Sequence, residues 1–441
     1  MTFPGPLFTD LYELTMAATY FDSGVTGQGT FSLFARHDPQ RGYFVSAGTE
    51  TALDFLEKFQ FEETDLAYLR RLDLFSDDFL NHLATLRFTG EVWAMPEGTP
   101  FFGDEPIIEV TAPIIQGQLI ETYLINTVGL ASMIATKAAR CVHAAQGRSL
   151  IDFSLRRTQG VDAGLAAARS TYLAGFDATS NVLAGQKEAI PVAGTMAHSF
   201  VLAFDNEIEA FRAYARLFPQ QTVLLIDTYD TIQGAYHAVQ VAMEMASTGD
   251  RLIGVRLDSG DMIELSRQVR RIFDDAGFKD VRIFASGGFD EYGVSEALAK
   301  EAPIDAFGVG TKVGVSADAP YMDMVYKLTQ FDTRPVRKLS EAKATLAGAK
   351  QVYRRSSSKT GQYVKDIISL REEPIDDAAP LLKPVMQSGR RLEPAPFLSQ
   401  TRDAFQDRFK TLPASFKALA NPAIYPVLVS DGLKALQQQI P

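Results

Sequence analysis

Leu252-Ile253-Gly254-Val255-Arg256-Leu257-Asp258-Ser259-Gly260-Asp261 is the stretch that decides the fold of this 441-residue chain. A run that is apolar except for Arg256 stops at an acid, a serine and a glycine. That is how a buried strand ends in a polar turn before a helix. The pattern recurs on both sides, in Ser149 to Phe153, Ala189 to Gly194, Thr222 to Asp227, Val281 to Ala285 and Ile304 to Val309, with a weaker run at Tyr172 to Phe176. Seven strands are expected. Measured at the strand ends, His198 to Asp227 is 29 residues, Asp227 to Asp258 is 31, Asp258 to Gly287 is 29 and Gly287 to Gly310 is 23. A period near thirty is one βα unit, and successive right-handed units bring every strand end to one face. An open doubly wound sheet gives the same local signals. The even spacing and the missing dinucleotide glycine fingerprint favour an α/β fold built on an irregular, TIM-like, seven-stranded βα barrel.

The flanks read differently. Residues 1–115 mix turn-rich strands (Gly29 to Phe34, Gly90 to Trp93) with helices (Glu50 to Lys58), as an α+β N-terminal domain. Asp10 with Glu13 three residues on predicts a capping box and a helix through Thr19. The catalytic barrel is expected over 116–335. Residues 336–441 form a C-terminal region expected to pack on the N-terminal domain, because Val364 to Leu370 and Tyr425 to Val429 still read as strands.

Composition removes several function classes. Hydrophobic residues make up 46% and charged residues 22%, and no run of eighteen apolar residues predicts a membrane span. The net charge of −11 disfavours nucleic acid or a membrane surface as partner. The single cysteine, Cys141, rules out an intrachain disulfide or a multi-cysteine zinc site and reads as an inert helix residue. No Lys or Arg precedes Arg36, so neither a secretory nor a transit signal is expected, and the cytoplasm is the expected compartment.

The strand ends carry chemistry. His198, in Gly194-Thr195-Met196-Ala197-His198-Ser199, is flanked by small residues and reads as a base, a nucleophile or a buried hydrogen-bonded side chain. Asp227 and Asp258 suit ribose hydroxyls, a magnesium ion shared with a polyphosphate, or the orientation of His198; the plain alternative for each is a helix N-cap. Arg256, two residues before Asp258, shares its side of the strand and suits an anionic substrate. Phe153 and Arg156 offer a flat apolar face beside a guanidinium, which fits an aromatic acid. Ser286-Gly287-Gly288 and Gly308 to Thr311, with Gly310 and Thr311 closing the second loop, are glycine-rich strand ends suited to phosphate.

These segments closely resemble the nicotinate phosphoribosyltransferase family of type II phosphoribosyltransferases. The resemblance spans nearly the whole chain: Thr9-Asp10-Leu11-Tyr12, Asp152 to Arg157, Gly175-Phe176-Asp177 with Thr179-Ser180-Asn181, Gly194 to Ser199, Asp227 to Asp230, Val255 to Asp261, Gly308 to Thr311, Arg337 to Ser340 and Lys350 to Arg354. It implies that nicotinate and 5-phosphoribosyl 1-pyrophosphate give nicotinate mononucleotide and pyrophosphate with coupled ATP hydrolysis and Mg2+, in NAD salvage. By the same resemblance His198 is phosphorylated by ATP. Phe153 stacks on the pyridine opposite Tyr12 of a second subunit, so a homodimer with shared active sites is expected. Arg256 lies by the substrate, Asp258 by the ribose, and the two glycine loops hold the 5-phosphate. Arg36, Lys338 and Lys350 are weaker candidates for pyrophosphate.

Nicotinamide-using relatives carry an aspartate in the segment matching Thr179-Ser180-Asn181, where this chain has the hydroxyls of Thr179 and Ser180, and a hydroxyl can donate to a carboxylate, so nicotinate is favoured. A nicotinamide phosphoribosyltransferase and a non-catalytic phosphate-binding barrel remain the alternatives. Quinolinate phosphoribosyltransferase is a shorter chain without this His motif.

Overall fold

The computed structural model describes residues 4–339 and 345–440, so Ser340 lies outside the described residues. Two compact units divide the chain, one of residues 1–136 with 319–441 and one of 137–318.

The second unit holds a parallel sheet of β1 (Ser149–Asp152), β2 (Ala178–Thr179), β3 (Val223–Leu225), β4 (Gly254–Leu257), β5 (Arg282–Ala285) and β6 (Ala306–Val309). Its order is β2-β1-β6-β5-β4-β3. All four residues of β6 are buried, as expected for a strand covered on both faces. The expected strand Ala189 to Gly194 is reduced to one parallel bridge, Val192 to Thr179. Among the described residues no ladder carries the sheet from Val192 to β3, so it is a parallel half-barrel.

Tyr172 to Phe176 is not a strand. Its first two residues end the helix Val161–Leu173, with Leu173 on the buried face, and Gly175 at φ +107° turns the chain into β2, which starts three residues later. An apolar run of this length does not separate a buried helix end from a strand.

The helices that follow β3, β4 and β5 start at carboxylate caps. Asp230 accepts from Gln233 N–H before Thr231–Ser247, Asp261 from Ile263 and Glu264 N–H before Met262–Asp275, and Asp290 from Gly293 N–H before Glu291–Ala299. These caps stand three residues beyond Asp227, Asp258 and Gly287. Asp227 and Asp258 are therefore not caps.

The first unit is built on a seven-stranded sheet whose centre is Met324–Phe331, Gln28–Ala35, Pro106–Pro113 and Glu91–Ala94, paired antiparallel in that order. Phe31, Leu33, Val110 and Tyr326 from these strands share its core with Phe55 and Leu80 of the covering helices. Residues of the C-terminal region add a four-stranded sheet containing Lys350–Ser356, Tyr363–Leu370 and Val427–Val429. The helix Leu11–Asp22 begins after Asp10, but the capping box does not form: Asp10 makes no cap hydrogen bond, and Thr122 Oγ1 donates to both Asp10 and Glu13. Glu13 is fully buried, so tertiary burial has taken the side chain that a local motif would use.

Glu109 joins the two parts of this unit. Fully buried, it accepts from Ser32 Oγ at 2.6 Å, Lys350 N at 2.7 Å and Arg371 Nη2 at 2.7 Å, with Lys350 Nζ at 3.2 Å. Burial pushes the Lys350 ammonium below its ordinary pKa, and Glu109 opposes that shift. Removing Glu109 leaves two cations without their carboxylate in a dry interior. Glu109→Ala is expected to destabilise the protein by about 3–5 kcal/mol, read as a lowered Tm by calorimetry; an unchanged Tm would show that the cations find other partners.

Candidate active site

Four segments of the second unit meet around Arg256. The residue alternates with the buried Val255 and Leu257 of β4, which turns its side chain to the same side as Asp258. Its Nε donates to Ser286 Oγ at 2.8 Å, its Nη1 to Thr195 Oγ1 at 3.0 Å and to Met196 O at 3.2 Å, and its Nη2 to Asp258 Oδ1 at 2.9 Å. The guanidinium carbon stands 5.4 Å from the centre of the Phe153 ring, within cation–π range. The expected pairing of Arg256 with Asp258 is present, and one side chain joins β1, β4, β5 and the segment before His198.

Asp227 ends β3 and reaches across to the next strand end. Its Oδ2 accepts from Asp258 N at 3.0 Å and from Ser259 Oγ at 2.6 Å. Its Oδ1 is buried and has no hydrogen-bond partner. Burial pushes the Asp258 carboxyl up, but Ser286, Arg256 and His198 outweigh it and hold the group below the ordinary carboxylate value. Asp258 is thus an anion fixed in place at neutral pH.

His198 opens the short helix His198–Leu202, with its side chain 40% exposed. Its Nδ1 lies 3.2 Å from Thr228 Oγ1, while Nε2 faces both carboxylates, 4.0 Å from Asp227 Oδ1 and 3.8 Å from Asp258 Oδ2. Those two distances exceed a hydrogen bond. The expectation that a carboxylate orients the imidazole gives way to Thr228, a residue that the sequence reading passed over beside Asp227. Its position immediately after a strand-end acid was the available signal.

The two glycine loops come together. A groove of about 220 Å³ is lined by Phe153, Arg156, Arg157, Arg256, Asp258, Ser286, Gly287, Gly288, Gly308, Gly310 and Thr311. Gly287 has φ +90°, and a Cβ there would stand 2.1 Å from the Asp258 carbonyl oxygen. A Cβ on Gly308 would meet the Phe153 ring at 2.5 Å. These glycines let backbone and ring approach closely, which is the role glycine has beside an anion. Arg156 and Arg157 sit exposed on the single turn Leu155–Arg157 at the groove's rim.

Thr179, Ser180 and Asn181 follow β2 but are not equivalent. Thr179 Oγ1 donates to Asp152 Oδ2 at 2.7 Å, committing its one proton. Burial raises the Asp152 carboxyl, and the bonds from Ser154 and Thr179 partly offset this. Asn181 caps the helix Val182–Glu188 through Ala184 N–H and donates to Gly164 O at 3.2 Å. Ser180 is half-buried, and its backbone N–H is fixed to Asp152 O at 2.8 Å.

Tyr12 and Arg36 belong to the first unit. Tyr12 is 47% exposed on Leu11–Asp22, and burial followed by Glu121 raises its hydroxyl pKa. Arg36 pairs with Asp323 at 3.6 Å and lines a separate cavity of about 400 Å³ with Asp104 and Lys350. Lys350 is held by Glu109 and by the carbonyls of Leu346 and Gly348, and Lys338 is exposed. Among the described residues no three His, Cys, Asp or Glu side chains are grouped to hold a metal, and no helix is long and apolar enough to cross a membrane.

Three family models cover most of the chain: the nicotinate phosphoribosyltransferase N-terminal domain over residues 7–129, the nicotinate phosphoribosyltransferase family over 148–359 and its C-terminal domain over 376–437. A nicotinate phosphoribosyltransferase of Mycobacterium tuberculosis is 47% identical over 430 residues, covering 97% of this chain and 92% of the relative. One from Bacillus subtilis is 37% identical over 96% of this chain and 93% of its own length. The crystal structure of human nicotinic acid phosphoribosyltransferase superposes with a TM-score of 0.88 at 30% identity, covering 98% of this chain and 99% of the other. The groove, the strand-end acids and these likenesses along the whole length agree, and the chain belongs to the nicotinate phosphoribosyltransferase family.

Proposed function

We propose that the protein transfers the phosphoribosyl group of 5-phosphoribosyl 1-pyrophosphate to nicotinate, giving nicotinate mononucleotide and pyrophosphate, with ATP hydrolysed alongside through a phosphorylated His198. One observation carries the reading: a single groove combines a phosphate-sized pair of glycine loops, an aromatic face at Phe153, the guanidinium of Arg256 and the ionised Asp258. We read its sheet, with the bridge at Val192 counted as the seventh strand, as the irregular barrel of the family.

The chemistry follows from the charges. The pyridine nitrogen attacks the ribose C1, the bond from C1 to the pyrophosphate oxygen breaks, and pyrophosphate leaves with the electron pair. Positive charge builds on the ribose beside the Asp258 carboxylate, which its bonds from Arg256 and Ser286 keep ionised. Backbone N–H groups of Gly287, Gly288, Gly310 and Thr311 suit the 5-phosphate. The Phe153 face suits the pyridine, with Arg156 at the rim for its carboxylate. Thr228 holds Nδ1 of His198 and leaves Nε2 as the atom facing the acids, ready to accept the γ-phosphoryl of ATP as ADP departs.

Asp227 and Asp258 fit magnesium carried in with the pyrophosphate, since magnesium is usually held by one or two carboxylates and substrate oxygens, and Asp227 Oδ1 is a buried oxygen without a partner. Bound there, the ion would neutralise the leaving group. Tyr12 from a second subunit would close the pyridine site in a homodimer, and a cytoplasmic setting suits the lone cysteine.

Transferase assays with nicotinate, nicotinamide and quinolinate in parallel, each with and without ATP, test the reaction. Mononucleotide from nicotinate with ATP consumed is expected; a preference for nicotinamide overturns the substrate, and no product from any of them revives the binding-protein alternative. His198→Ala is expected to keep some transfer but lose its coupling to ATP, and ATP hydrolysis that still tracks product would remove the phosphohistidine. Because Thr179 and Asn181 are already engaged, Ser180 is the hydroxyl free to meet the nicotinate carboxylate. Ser180→Ala should raise KM for nicotinate roughly tenfold with kcat little changed, as loss of one hydrogen bond to a charged group does.

Asp258→Asn should lower kcat on the order of a hundredfold. The same variant tests the acid shift: with a folded pKa below 3.8, ionised Asp258 stabilises the fold above that pH and ceases to as pH falls through the folded value. The Tm gap between wild type and variant should therefore narrow on acidification, and a gap that widens contradicts the assignment.

A further inference from the structure

We propose that the ion pair between Asp290 and Lys312 is a positioning device that ties the two glycine loops of the groove to each other, with its footing in the buried charges of Lys137, Arg140 and Glu291. The inference rests on the reading that this groove takes the ribose 5-phosphate, and names side chains that act on it without lining it.

The loops need such a device. Gly287 and Gly288 both have positive φ, +90° and +83°, and nothing stands within 4 Å of a Cβ built on Gly288. Side-chain packing therefore does not fix this stretch, and glycine backbone loses more freedom on ordering than any other. Two residues past Gly288, Asp290 makes two contacts at once: it caps Gly293 N–H at 3.0 Å and meets Lys312 Nζ at 3.0 Å. Lys312 immediately follows Gly310-Thr311, the end of the other loop. The pair thus crosses from one loop to the other. Burial raises the Asp290 carboxyl, but the Gly293 N–H and Lys312 outweigh it, so the charge needed for the pair persists.

The next residue supplies the footing. Glu291 is fully buried and binds Lys137 Nζ at 2.5 Å and Arg140 Nε at 2.8 Å, both from the helix Glu121–Ala145. Lys137 also meets the partly exposed Asp318 at 2.7 Å, so two buried cations share the buried Glu291 and one carboxylate nearer the surface. Buried pairs of this kind are costly to break and hold their partners in one geometry. Phe289 adds an edge contact to Phe307 of β6, ring centres 5.1 Å apart. Residues 289–291 are thereby pinned on three sides, and the only link from them to the second loop among the described ion pairs is Lys312. Setting the loops in place beforehand removes an ordering cost from phosphate binding.

The test is a double-mutant cycle on Lys312→Met and Asp290→Asn, the latter keeping an oxygen to cap the helix. KM for 5-phosphoribosyl 1-pyrophosphate and calorimetric Kd for ribose 5-phosphate are measured for wild type, both single variants, the double variant and Lys312→Arg. Each single variant is expected to weaken both constants about fivefold, the scale of one partly exposed ion pair, with kcat within about twofold. The double variant should be no worse than either single one, and Lys312→Arg should restore binding. Effects that add, an effect of Lys312→Met alone, or no effect overturns the inference; the second pattern would mean that Lys312 touches the phosphate itself. If wild type binds ribose 5-phosphate and the cycle behaves as expected but nicotinate is not used, the proposed reaction fails and the positioning role stands.

Discussion

The site depends on the placement of one guanidinium. Arg256 leaves a buried parallel strand, where an unpaired charge would be prohibitive, and four of its N–H groups find acceptors on Ser286, Thr195, Met196 and Asp258. Those partners lie on three segments, the end of its own strand, the turn after β5 and the stretch before His198, so satisfying the cation fixes these relative to one another. The Phe153 ring below it and the Asp258 carboxylate beside it inherit that precision. A lysine could not replace it, because an ammonium lacks the planar fork that reaches several acceptors at once.

A second constraint is the division of labour among the acids. The turns after β3 and β4 each carry two acids three residues apart: the later one caps a helix and the earlier one faces the site. Asp230 and Asp261 satisfy helix N–H groups, which leaves Asp227 to order the Asp258 turn and Asp258 to stay ionised against Arg256. The turn after β5 keeps the later acid, Asp290, but has glycine at the earlier position, because a Cβ there would stand 2.1 Å from the Asp258 carbonyl oxygen. Helix nucleation and catalysis thus draw on different residues of one short loop.

The strand ends were legible in the sequence because a buried parallel strand must be apolar and must stop at a polar turn. His198, Asp227, Asp258, Gly287 and Gly310 stand at strand ends or in the turns that follow, and the groove gathers Phe153, Arg156, Arg256, Asp258 and both glycine loops. The errors share a cause. Tyr172 to Phe176 has the apolar content of a strand but buries itself as a helix end, and Asp10 with Glu13 has the spacing of a capping box but gives both carboxylates to Thr122, more than a hundred residues away. Periodicity reports that a residue is buried and says nothing of its partner.

The chain's order of residues by itself determined the βα repeat, the residues that end its strands and the family to which they belong, since those depend on local polarity and spacing. Only the tertiary structure decided that Thr228 holds His198, that Thr179 and Asn181 are committed and Ser180 is not, and that Asp290 reaches Lys312. Each of those contacts except the helix cap joins residues at least seventeen positions apart. Hydrogen bonds and ion pairs act over about 3 Å in space, and sheet register, which no short stretch of sequence encodes, determines which distant residues come within that reach.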